Sequence, residues 1–71
     1  MTKAPNANAF IEQQKQALAA NPECGNSHYN LAVAYLEKGE YDLAVEHCDK
    51  ALALGYDVAP EILKEVEEHR N

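Results

Sequence analysis

The chain has 71 residues, of which 46% are hydrophobic, and its 12 acidic and 6 basic side chains give a formal charge of −6. This length allows one domain at most and excludes a catalytic scaffold of roughly 300 residues, such as a TIM barrel. The acidic balance argues against a nucleic-acid partner, because neutralising phosphates needs clustered Lys and Arg. The longest apolar run, residues 31–36, is too short to cross a membrane.

The first two predicted helices are bounded by proline, asparagine and glycine. Pro5-Asn6 opens the first helix, and Asn21-Pro22 ends it, because proline disfavours the α conformation in the residue before it. Gly25-Asn26-Ser27 offers a cap for the second helix, which runs to about Lys38. Gly39 follows directly and is the expected residue for a left-handed helix end.

The third and fourth predicted helices follow the same rules. Asp42 or a neighbour starts the third helix, and Gly55 ends it. Pro60 lies in the first turn of the fourth, where its missing N–H costs little. No alternating β-branched run appears, so we expect no strand. The acidic residues of the fourth helix form a solvated face.

The second helix carries two apolar stripes. Leu31, Ala32 and Tyr35 form a core stripe, and a second stripe on another side holds Tyr29, Val33 and Leu36. A surface helix of a small bundle normally needs only one such stripe. Either the second stripe packs against both flanking helices, or part of it lines a groove.

The cysteines and histidines do not have the spacing of a metal site. Cys24, His28, His47 and Cys48 include no C-x-x-C or H-x-x-x-H pair. We therefore expect no metal and no cofactor, with Cys48 as a small core residue and His47 as a solvated one. His69 lies near the end of the last helix, where a cation suits the helix dipole.

The pattern over residues 25–58 resembles one complete tetratricopeptide repeat (TPR), a pair of antiparallel helices, A and B. The matching positions are His28, Leu31-Ala32, Tyr35, Gly39-Glu40-Tyr41, Ala44, Cys48 and Ala51. His28 and Cys48 stand where the family has large or aromatic residues, and the closing Pro is absent, with Tyr56 in that region. The resemblance implies an all-α fold, a TPR-like right-handed superhelix fragment of about four helices. It forms one domain over residues 1–71, with a leading helix (6–20), the repeat (25–58) and a capping helix (59–70).

The same resemblance suggests how the core is filled. Ala32, Ala44 and Ala51 are small where the A and B helices approach, and the space around them is filled by Leu31, Tyr35, Leu43 and Leu52. Counting back one repeat, Phe10 falls where the family has a small Ala. We therefore expect Phe10 to be a buried plug in the place of a missing helix, as in a chain adapted to standing alone. Replacing it with Ala should cost roughly 3 kcal/mol.

TPR proteins bind peptides or proteins on the concave face of their A helices. When the family's binding positions are carried over to this sequence, the face consists of Asn26, Tyr29, Asn30, Val33, Leu36 and Glu37. Asn30 can donate and accept hydrogen bonds, and Tyr29 offers a flat contact. None of the six is basic, whereas family members that clamp a C-terminal carboxylate use Lys or Arg there. This argues against an acidic chaperone-tail ligand.

Two other functions compete with this one. About three repeats are the normal minimum for stability, so two copies could supply each other's missing neighbours as a homodimer, with the Tyr29–Val33–Leu36 stripe as the contact. An enzyme is not expected, because the sequence contains no Ser-His-Asp set and no Gly-rich phosphate loop. The first residues lack the apolar stretch of a secretory signal, which favours the cytoplasm unless the natural chain starts further upstream.

Overall fold

The computed structural model of the chain describes residues 7–70, and within them the chain forms four helices and no strand. The helices are α1 (Ala7–Ala20), α2 (Gly25–Lys38), α3 (Tyr41–Ala53) and α4 (Pro60–Glu68). The all-α prediction is therefore confirmed. Pro5 and Asn6, where the sequence predicts the first helix to open, lie outside the described residues.

Two glycines end α2 and α3, as the sequence predicts. Gly39 and Gly55 both adopt a left-handed φ of 83°. At the end of α2, the Gly39 N–H donates to the Leu36 carbonyl (3.1 Å) and the Glu40 N–H donates to the Tyr35 carbonyl (2.9 Å). The same pair of bonds recurs after Gly55, so each helix satisfies its last carbonyls locally before the chain turns.

The start of α2 differs from the prediction. Cys24 is its N-cap residue and makes no side-chain capping bond, while Ser27 lies inside the helix and is buried. The expected side-chain cap in residues 25–27 is therefore wrong. Gly25 serves another purpose: a Cβ there would lie 3.0 Å from the Cβ of Tyr56. The missing side chain lets the α3–α4 loop pack directly on the start of α2.

The core lies where α2 packs between α1 and α3. Ala32, Ala44 and Ala51 are fully buried, as expected of small residues where helices approach closely. Leu52, however, is 43% exposed, so its predicted place in the core is wrong. The inward face of α3 runs through Ala44, Cys48 and Ala51, and the next residue on a helix points about 100° away.

Phe10 is not a buried plug. Its side chain is 39% exposed, whereas Ile11 is only 4% exposed and belongs to the core. The inward face of α1 follows Ile11, Gln14 and Leu18 at helical spacing, and Phe10 lies about one residue's rotation away from it. The family register therefore predicted the wrong side chain, and Ile11 anchors α1.

The last helix is fastened to α3 mainly by its C-terminal end. Val66 is fully buried, and the His69 ring stacks on the ring of Tyr41 with centroids 3.6 Å apart and planes 5° from parallel. Arg70 donates two hydrogen bonds to the Asp49 carboxylate, at 2.8 and 3.1 Å. This guanidinium holds the pKa of Asp49 below its usual range.

Candidate functional site

The predicted interaction face divides into a closed end and an open end along α2. Asn26 and Glu37, at its two limits, are exposed. Tyr29, Asn30 and Val33 are half-buried, and Leu36 is buried. All six residues lie on one helix, but their surroundings differ from end to end.

The closed end is covered by residues from other elements. The Tyr56 hydroxyl donates to the Asn26 side-chain oxygen (3.1 Å), and the rings of Tyr29 and Tyr56 lie 5.1 Å apart. The Asn30 amide donates to the Gln14 side-chain oxygen of α1 at 3.4 Å. The chain thus already binds both asparagine side chains and one face of the Tyr29 ring. Tyr56 lies in the region where the family has its closing Pro. Nothing in the sequence spacing indicated that it would contact Asn26 and Tyr29.

The open end is a cleft between α2 and α4. Val33, Leu36 and Glu37 of α2 face Ile62 and Glu65 of α4 across a volume of about 130 Å³. Of the second stripe, Tyr29 packs against Tyr56 of the α3–α4 loop, while Val33 and Leu36 line the cleft. Sequence reasoning missed Ile62 and Glu65, although their spacing of three places them on one face of α4.

The rim of the cleft is negatively charged. Within residues 7–70, neither the Glu37 nor the Glu65 carboxylate has an ion-pair or hydrogen-bond partner. Nearby cations are bound elsewhere: the Lys38 ammonium lies 3.1 Å from Glu40 and donates to the Asn8 side chain at 2.7 Å. The cleft is therefore an apolar slot with two unpaired carboxylates, one on each helix.

The histidines form a separate polar pair between α2 and α3. His28 Nε2 donates to the Pro22 carbonyl (3.1 Å), since a carbonyl can only accept. In the neutral ring, His28 Nδ1 then accepts from His47 Nδ1, 3.0 Å away. Burial, and secondarily the His28 ring, lowers the pKa of His47. His47 is thus half-buried and bonded, and its predicted solvated position is wrong.

The cysteines complete the set considered for metal binding. Cys48 is buried in the core as predicted, and burial raises the pKa of its thiol. Cys24 is half-buried, and a hydrogen bond with the Ser27 side chain lowers its pKa. In the part of the chain that the structure describes, no three His, Cys, Asp or Glu side chains converge to hold a metal ion.

Comparison with known proteins places the α2–α3 hairpin in a family. The model of the tetratricopeptide repeat matches residues 25–54, which cover both helices and the Gly39 turn. No curated protein and no solved structure matches the chain. None of the helices between residues 7 and 70 has the length and apolar character needed to span a bilayer. The family is generally a non-catalytic protein-interaction repeat. The α2–α3 hairpin thus matches the tetratricopeptide repeat, and α1 and α4 flank it in this chain.

Proposed function

We propose that the chain is a non-catalytic interaction module that binds a peptide segment of another protein along α2. The observation that carries this proposal is the open cleft between α2 and α4, where apolar side chains line a groove on the face that the family uses for ligands. The contact is centred on Val33, Leu36 and Glu37, because Asn26 and Asn30 are already bound within the chain. The other three residues of the predicted face, Asn26, Tyr29 and Asn30, lie at the closed end of α2 and flank this contact.

The test is selection from an unbiased peptide library, followed by NMR titration of the isotope-labelled full chain. Enriched peptides should shift the amide signals of Val33, Glu37 and Ile62. Val33→Ala should weaken binding, whereas Val45→Ala, an equally half-buried valine on α3, should not. A library that yields no binder, or binders that shift other regions only, would refute the proposal.

A second candidate function is self-association through the outer face of α1. Phe10 is 39% exposed and borders a shallow hollow lined by other α1 residues, Ala9, Glu12, Gln13 and Gln16. A large exposed aromatic at the open side of a helical stack favours pairing with a second copy. Sedimentation equilibrium tests it: a dimer that Phe10→Ser dissociates supports the homodimer. A 7.9 kDa monomer up to high micromolar concentration excludes it.

A further inference from the structure

The cleft between α2 and α4 combines an apolar floor with an anionic rim. Val33 and Leu36 contribute the floor from α2, and Ile62 contributes it from α4. The volume of about 130 Å³ leaves room for an aliphatic side chain of a ligand.

The carboxylates on the rim have no counter-charge in the described part of the chain. Glu37 and Glu65 are both exposed and stand on different helices, so a ligand in the cleft passes between them. Lys64, the adjacent residue in α4, points about 100° away from Glu65 on a helix. Arg70 is held by Asp49 and Glu67. The positive charge that would balance this rim must therefore come from a ligand.

We infer that the cleft selects a cationic peptide, one that seats an aliphatic side chain on Val33, Leu36 and Ile62 and sets flanking Lys or Arg beside Glu37 and Glu65. This inference rests on the proposed function and adds the chemistry of the partner. The net charge of −6 steers such a peptide toward the chain, although salt screens that attraction beyond about 8 Å.

The same rim argues against a second copy of the chain as the occupant of the cleft. A two-fold contact places the same surface on both sides, so it would bring the rim carboxylates of both copies, four in all, into one interface. Like charges brought together across an interface are repulsive. Self-association, where it occurs, therefore uses a different face, and the cleft stays available to the peptide.

The experiment uses four short peptides that differ only at the seated residue and its flanks. One carries Leu between Lys and Arg, one Leu between two Ser, one Leu between two Glu, and one Ser between Lys and Arg. Each is titrated into the isotope-labelled full chain at low and at physiological salt. The basic Leu peptide should bind most tightly and shift Val33, Glu37, Ile62 and Glu65, with affinity that falls as salt rises.

Matched double variants separate the rim from the general charge of the chain. Glu37→Gln with Glu65→Gln and Glu12→Gln with Glu23→Gln each change the net charge from −6 to −4, since two negative charges are removed. An exposed ion pair changes affinity by about two- to fivefold, so losing both should weaken the basic Leu peptide by about five- to twentyfold. The control pair should change it less than twofold.

The outcomes distinguish this inference from the function on which it rests. Equal binding of all three Leu peptides in the cleft overturns the charge preference and leaves the interaction module intact. The charge preference is also overturned if both double variants weaken the basic Leu peptide equally, because the attraction is then unspecific. The same holds if the basic Ser peptide binds as tightly as the basic Leu peptide. No shift at the cleft with any peptide, together with a library that yields no binder, overturns both.

Discussion

Ile11 is the side chain through which α1 joins the core, and its replacement with Ala is the sharpest test of the fold. Ile11 is 4% exposed, while its neighbour Phe10 is 39% exposed. The two residues share a helix and differ mainly in which way they point. We expect Ile11→Ala to be strongly destabilising and Phe10→Ala, although it removes more atoms, to be mild.

The magnitude follows from the burial of the two side chains. Ile11→Ala removes three buried carbons at about 0.8 kcal/mol each, or about 2.4 kcal/mol, and a residual cavity brings the cost to about 3 kcal/mol. A core of this size supplies only about 3–5 kcal/mol of net stability, so the variant should be close to unfolding. Phe10→Ala loses part of an exposed contact and leaves no enclosed cavity, so we expect about 1 kcal/mol.

Urea unfolding followed by far-UV circular dichroism measures both values. The free energies can be compared only if each variant has the same dependence of unfolding free energy on urea concentration as the wild type. If Ile11→Ala proves unfolded in water, Ile11→Val, with an expected cost of about 0.5–1.5 kcal/mol, replaces it. A cost of Phe10→Ala equal to or above that of Ile11→Ala would show that α1 is rotated from the position described above. The same would follow from an Ile11→Ala effect within about 0.5 kcal/mol.

Three further predictions concern the helix ends, the histidine pair and metal removal. Gly39→Ala should cost about 1 kcal/mol in urea unfolding, because its φ of 83° strains any residue with a Cβ even though no atom lies within 4 Å of that position. Because the pKa of His47 is lowered on folding, stability should be full above about pH 6.5 and decline as the pH falls below it. His47→Gln should flatten that decline. If the unfolding free energy of the variant falls with pH as steeply as that of the wild type, His47 is not its cause. EDTA should leave the Tm unchanged, since no three ligating side chains converge within the described residues, and a fall of several degrees would reveal a metal.

The helix ends could be read from the sequence because their causes are local. Gly39 and Gly55 each occupy a left-handed turn that any other residue would strain, and Pro60 starts α4 where its missing N–H is harmless. These rules depend on a few consecutive residues. They hold whatever the rest of the chain does.

The errors and omissions concern contacts between helices. Phe10 and Leu52 belong to helices with apolar stripes, but periodicity alone does not set how far each helix is rotated against its neighbour. His28 and His47 are 19 residues apart, and no spacing rule indicates that their rings will bond. Two of the five residues that line the cleft, Ile62 and Glu65, were not predicted for the same reason, since they meet α2 only through the placement of α4.

The fastening of α4 at its far end has a consequence for the timing of binding. Its only fully buried side chain is Val66, and the Tyr41–His69 stack and the Arg70–Asp49 pair hold it at the surface. An element with so little buried area belongs to the low-stability end of local unfolding. Because α4 carries Ile62 and Glu65, each detachment dismantles one wall of the cleft. Opening of α4 therefore gives the proposed peptide a route of release, and hydrogen exchange of the α4 amides should slow when the cleft is filled.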